Sequence, residues 1–175
     1  MSNNNESKNL MGIEASSDDQ KSRRKFLVVV DDTPECRIAV RYAARRAQST
    51  GGSLLLLRVV DPSAELSHWI AVKERIVEEA VDEAEELLQS IALEINSWIS
   101  IVPAVAIREG KLQEEVLAQI EEDSGISVLV LAAAAGVDGP GPLVSALAGS
   151  MSGVMQIPVT VVPGNLSEVD IDQIG

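Results

Sequence analysis

Phe26-Leu27-Val28-Val29-Val30-Asp31, continued by Asp32-Thr33-Pro34-Glu35, decides the fold of this chain. A continuous apolar run closed by an acid predicts a strand buried on both faces, since a half-exposed strand would alternate apolar with polar. Thr33, Pro34 and Glu35 then supply a helix N-cap, a first-turn proline and a first-turn acid. The helix is expected to run to Ser49, where Thr50-Gly51-Gly52 stops it. Working outward, the same alternation recurs. Leu54–Val60 reads as a second buried strand closed by Asp61-Pro62, and Ser67 to Asn96 as a long amphipathic helix. Its apolar residues Trp69, Val72, Ile76, Ala80, Ala84, Leu87, Ile91 and Ile95 recur at three- and four-residue steps. Ile99–Ile107 is a third strand, bent or weakened at Pro103, and Lys111–Glu122 a helix with Leu112, Val116 and Ile120 inward. Val128–Leu131 begins a fourth strand, Pro142–Gln156 is a fourth helix, and Pro158–Val162 a fifth strand. Strands alternating with helices specify an α/β fold: one doubly wound domain, a five-stranded parallel sheet with helices on both faces and the first strand central. Ligands in such sheets bind beyond the carboxyl ends of the strands, where the strand order reverses. The segments after strands one and four, Asp31–Thr33 and Ala132–Pro142, are therefore the places to look for chemistry.

Composition narrows the function classes. Of 175 residues, 14 are Lys or Arg and 27 Asp or Glu, a net charge of −13. That balance argues against a nucleic-acid or anionic-membrane partner, both of which need a cationic surface. Cys36 and His68 are the single cysteine and histidine, so a disulfide framework and His-pair metal sites are excluded. The longest apolar run, Val128 to Ala135, is too short to span a bilayer. The N-terminus has no apolar leader segment, and a cytoplasmic location is expected. Residues 1–24 read as a disordered polar arm, 25–164 as the folded domain, and 165–175 as an acidic tail without a strong helical period.

The acid pair Asp31-Asp32 invites comparison with a phosphoryl-accepting receiver domain. The third strand, however, ends Ile107-Arg108-Glu109-Gly110 without a phosphoacceptor Asp, and the fifth ends Val162-Pro163-Gly164 without a lysine. The plainer reading makes Asp31 a strand-end carboxylate capping nearby backbone amides, with Asp32 solvated. Neither G-x-x-x-x-G-K-[ST] nor G-x-G-x-x-G occurs after the first strand. The glycine-rich loop Gly136-Val137-Asp138-Gly139-Pro140-Gly141-Pro142 could admit phosphates to backbone N–H groups, or simply set a turn. Pro140 and Pro142 have no N–H to donate, and no Lys or Arg follows Lys111. Arg37, Arg41 and Arg45, at i, i+4 and i+8, read as a solvated face, or as a docking stripe for an acidic partner. Cys36, without a resolving cysteine, reads as a packed thiol. No G-x-S-x-G elbow accompanies His68, so a hydrolytic triad has no footing.

Phe26–Asp31, Leu57-Arg58-Val59-Val60-Asp61-Pro62, Glu109-Gly110, Val128–Leu131 and Pro158-Val159-Thr160-Val161-Val162, in that order and spacing, resemble the universal stress protein family over Lys25–Pro163. The resemblance implies a five-stranded parallel fold of the adenine nucleotide alpha hydrolase type, a homodimer formed through the Pro158–Val162 strand, and, in many members, ATP held with Mg²⁺. Carried over by residue, Asp31 matches the family's strand-one acid, Val59 its strand-two contact and Gly110 the glycine after strand three. Gly136, Gly139, Gly149 and Ser150 fit the family's G-x2-G-x9-G-[ST] by spacing. Counting back from Pro158 without gaps instead puts Ala132, Ala135, Ser145 and Ala146 at those positions, where Cβ atoms would crowd a phosphate. The reading is thus a non-catalytic stress-response or regulatory module, homodimeric, with weak or absent nucleotide binding and room for a protein partner not named by the sequence. A member using ATP or another adenine nucleotide as regulatory ligand is the second reading, and a receiver-like or hydrolytic α/β enzyme the third.

Overall fold

The structure, a computed structural model, describes residues 24–61, 70–136, 139–147 and 149–175. The expected arm before Arg24, the start of the long helix at Ser67, His68 and Trp69 lie outside the described residues. Five strands form one parallel sheet: β1 (Lys25–Val29), β2 (Ser53–Val60), β3 (Ala104–Glu109), β4 (Ile126–Ala133) and β5 (Val159–Pro163), in the order β3-β2-β1-β4-β5. Every pairing is parallel and β1 is central, as expected. Among the described residues five helices connect or follow them: α1 (Pro34–Thr50), α2 (Ile70–Trp98), α3 (Leu112–Glu122), α4 (Pro142–Leu147) and α5 (Glu168–Ile174).

Period-two alternation in the strands divides the core in two. Phe26, Val28, Val30, Leu54 and Leu56 face α1 and α2, while Leu27, Val29, Leu55 and Leu57 face α3 and α4. Burying one such Leu or Val contributes roughly 1.5–3 kcal/mol. The first face is closed by Ala39, Ala43, Ala44 and Ala47 of α1, whose small side chains let the helix lie close on the sheet. Leu88, Ile91 and Ile95 of α2 close it further. Helix α1 starts and stops as its sequence dictates. The Thr33 hydroxyl accepts from Cys36 N–H at 3.3 Å, and Gly51 ends the helix at φ 64°, where a side chain would be strained.

Four expectations are corrected. The third strand begins at Ala104 rather than Ile99, because Pro103 has no N–H to add to a ladder and stands just before it. The helix from Pro142 ends at Leu147, not Gln156, and turns follow through Val154. The expected tail contains α5, whose capping box has the Ser167 hydroxyl accepting from Asp170 N–H while the Asp170 carboxylate accepts from Ser167 N–H. Finally, Arg41 and Arg45 are not a solvated stripe: both ion-pair with Asp172 of α5. The acidic partner of that stripe is the chain's own C-terminal helix.

Candidate functional site

The chain runs β1-β2-β3 to one side of the sheet and β4-β5 to the other, so the strand order reverses between β1 and β4. Beyond their carboxyl ends lies a cleft of about 200 Å³. Its floor is apolar, made by Val29, Val59, Leu131 and Leu143, with Leu112 and Val144 at the sides. Asp31, Thr33 and Glu35 form one rim, and Ala132, Ala134, Pro140, Gly141 and Pro142 the other.

Local backbone chemistry places Asp31 there. Its Oδ1 accepts from Thr33 N–H at 3.0 Å and from the Thr33 hydroxyl, a turn that ties the carboxylate to the first residues before α1. Asp31 is otherwise exposed, with a second oxygen free for a ligand hydroxyl. Asp32, the next residue, goes elsewhere. Its carboxylate pairs with Arg58 at 2.7 Å, and Arg58 also donates to the Val30 carbonyl at 3.2 Å. It lines a separate crevice of about 430 Å³ between the end of β2 and α2, where Asp61, Glu79 and Glu83 also stand. The acid pair is therefore split between two crevices, which removes the receiver arrangement. Among the described residues no group of three or more His, Cys, Asp or Glu is placed to hold a metal ion.

Of the residues singled out by sequence, the structure brings Asp31 and Val59 together in the cleft. Gly110, Gly136, Gly139, Gly149 and Ser150 do not line it. Gly110 follows β3 at φ 150° and donates its N–H to the Val60 carbonyl at 2.9 Å, and a Cβ added there would meet a Glu115 oxygen at 2.6 Å. Its glycine is needed for that packed turn. Gly149 and Ser150 lie past the end of α4, and the Ser150 hydroxyl bonds Gln113 of α3 at 3.3 Å. In the ungapped register, Ala132 lines the cleft and carries its Cβ there. Ser145 spends its hydroxyl on the Gly141 carbonyl at 2.8 Å, and Ala146 is buried in the core. Sequence reasoning missed Glu35, Leu112 and Leu143, for which only their places just beyond strand ends gave a signal.

The charges on the rim are Asp31 and Glu35, and among the described residues no Lys or Arg lines the cleft. Cys36 beside it offers no nucleophile, since burial pushes its thiol up to about 11. The cleft can therefore hold a small ligand by apolar contact and by carboxylates accepting its hydroxyl or amino hydrogens. It has nothing that neutralises a string of phosphates.

The universal stress protein family model matches residues 22–163. Among curated proteins no sequence matches the chain. Solved structures do. Universal stress protein UspA from Lactobacillus plantarum is 21% identical with a TM-score of 0.67, over 81% of this chain and 99% of that one. A universal stress protein in complex with cAMP is 12% identical, TM-score 0.57, over 81% of this chain and 98% of that one. The universal stress protein from Archaeoglobus fulgidus in complex with dAMP is 14% identical, TM-score 0.53, over 79% and 96%. At these identities the likeness is one of fold. Among the described residues no helix is long and apolar enough to cross a membrane.

Proposed function

This chain belongs to the universal stress protein family, and from that premise we propose that it is a non-catalytic regulatory module of the stress response whose cleft takes an adenine nucleoside or nucleotide weakly, by its base and ribose. The observation that carries this reading is the charge of the cleft: Asp31 and Glu35 on the rim and no cation. Two relatives of the same fold are described in complex with cAMP and with dAMP, which favours adenine ligands. A triphosphate fits poorly. Its charge meets two carboxylates, Pro140 and Pro142 offer no N–H, and the alanines at 132 and 134 put Cβ atoms on the rim. Mg²⁺ would bring the positive charge that the cleft's described residues lack, but among the described residues no group of three or more His, Cys, Asp or Glu is placed to hold it. The proposed compartment is the cytoplasm and the proposed assembly a homodimer through β5, a strand that pairs with β4 along one edge.

Calorimetric titration of the full chain with adenosine, AMP and ATP plus Mg²⁺ tests the reading. Adenosine and AMP are expected to bind, with ATP and Mg²⁺ no tighter than AMP. Ligand at a hundred times Kd should then add about 2.7 kcal/mol to unfolding stability. The Asp31→Ala variant should lose about tenfold in AMP affinity, the scale of one hydrogen bond to a charged group. ATP binding ten times tighter than AMP would overturn the charge argument, and full AMP affinity in Asp31→Ala would remove Asp31 from the site. If none of the three ligands binds, the nucleotide-independent module is the reading that remains, a reading supported by the places of Gly136, Gly139, Gly149 and Ser150 outside the cleft lining.

A further inference from the structure

Helix α5 lies outside the family-matched residues, which end at 163, yet it is seated on a built surface. Arg41 grips Asp172 with two parallel contacts, Nε–Oδ1 2.9 Å and Nη2–Oδ2 2.8 Å, and reaches Glu168 at 2.9 Å. Arg45 adds a third contact to Asp172 at 2.9 Å. Both guanidinium groups also stand over the Trp98 ring at the end of α2, with Cζ 4.9 and 5.2 Å from the ring centroid. Between these charges Ile171 is fully buried in the core behind α1. Two Arg over one indole ring, both paired with the same carboxylate, form a receptor for an acidic side chain, and Trp and Arg are the side chains that dominate binding hot spots.

The occupant depends on this surface for its fold. A seven-residue helix does not sustain itself in water, Ile171 is its one buried residue, and its carboxylates are at the surface. Charge also isolates the surface. In a chain of net charge −13, Arg41 and Arg45 stand one turn apart on α1 and are the arginines that pair with α5, whereas Arg37 pairs with Glu94 of α2; uncovering Arg41 and Arg45 would leave a cationic patch on an acidic protein. We propose that this face of α1 with Trp98 is a docking surface for short acidic helices, that α5 is its tethered occupant, and that a partner segment of the same chemistry competes for it. The recognised pattern is the one α5 presents: Glu168, Ile171 and Asp172, a carboxylate one turn before an aliphatic residue that is followed directly by a second carboxylate. The tether gives α5 an effective concentration in the millimolar range, so a free competitor binds well only when α5 is weakened.

The probe is a fluorescein-labelled synthetic peptide of residues 165–175, followed by fluorescence anisotropy against the full chain. Ile171→Asp in the chain should release α5 and raise affinity for the peptide at least tenfold over the unmodified chain. A peptide carrying Asp172→Lys should bind that variant at least tenfold more weakly, and about 1 M salt should weaken the native peptide strongly. Equal affinity of the unmodified and Ile171→Asp chains, with circular dichroism unchanged, overturns the proposal. So does equal binding of the two peptides. If Ile171→Asp loses its fold, Asp172→Ala decides, since it removes only a surface carboxylate: peptide affinity above that of the unmodified chain supports displacement, and unchanged affinity overturns it.

Discussion

Cys36 stands in the first turn of α1, where a thiolate is ordinarily favoured, yet its side chain is 1% exposed. Burial prevails. It lifts the thiol to about 11, helped by repulsion from the Asp31 carboxylate and opposed by the Asp31 N–H that donates to its sulfur. In the unfolded chain the thiol ionises near 9, so the unfolded state loses its proton first as pH rises. The folded state is then favoured below pH 9, and about 2–3 kcal/mol of stability disappears between pH 9 and 11. Urea titrations of the native chain and of Cys36→Ala, compared at pH 8 and 10.5, should show the loss in the former alone. Disulfide-exchange labelling at pH 8 should be slow until denaturant is added; rapid stoichiometric labelling of the folded chain would show an open site instead. Asp31 was legible in the residues themselves, because it closes an apolar run and a parallel sheet sends such ends to one crevice, whereas Val59 was reached only through the family resemblance. The glycines were not, because spacing in a glycine-rich loop says nothing of which way the backbone turns.

At the scale of elements, α5 carries the clearest consequence. Ile171 is its anchor, fully buried among α1 residues, so Ile171→Ala should cost about 2–4 kcal/mol in chemical unfolding. A cost under about 0.5 kcal/mol would mean that α5 does not rest on α1 in solution. Its start was written in the sequence as Ser167-Glu168-Val169-Asp170, a hydroxyl answered three residues later by a carboxylate. What hid it was distance: Asp172 finds its cations at Arg41 and Arg45, about 130 residues earlier, and the local stretch after Lys111 holds no positive charge. The strands and α1 were readable because continuous apolar runs and a Thr-Pro start act locally. The start of β3 was misjudged because Ile99 and Ile101 are apolar for another reason: Ile99 is buried and Ile101 packs against the same core, from a turn in which Ile101 N–H bonds the Ile99 carbonyl at 2.8 Å. Helix α4 was overextended for the converse reason, since Met151 and Met155 continue the helical spacing of Leu147 while packing on the core from a turn and from the irregular stretch after it.

At the scale of the molecule the sheet leaves two edges, β3 and β5, and their chemistry differs. β3 carries charge. Arg108 on it is held by Glu115 at 2.6 Å and Glu122 at 2.8 Å, and Glu109 ends it, the kind of edge that resists pairing. β5 reads Val159-Thr160-Val161-Val162-Pro163 with no charge at all, and Val161 is 41% exposed. Helix α5, which follows it, turns onto α1 rather than adding a strand beside it. Pairing of β5 with a second copy about a two-fold axis would satisfy its outer backbone groups as a closed contact. Val161 is the middle residue of the strand, so in such a pair the two copies of it meet near the axis. Val161→Lys would then set two ammonium groups against each other, and light scattering at about 10 µM should pass from dimer to monomer with far-ultraviolet dichroism unchanged. A net charge of −13 on each copy opposes association, so the native dimer should also tighten as salt rises toward 0.15 M. A monomer for the unmodified chain under those conditions would leave β5 a free edge and end the dimer proposal.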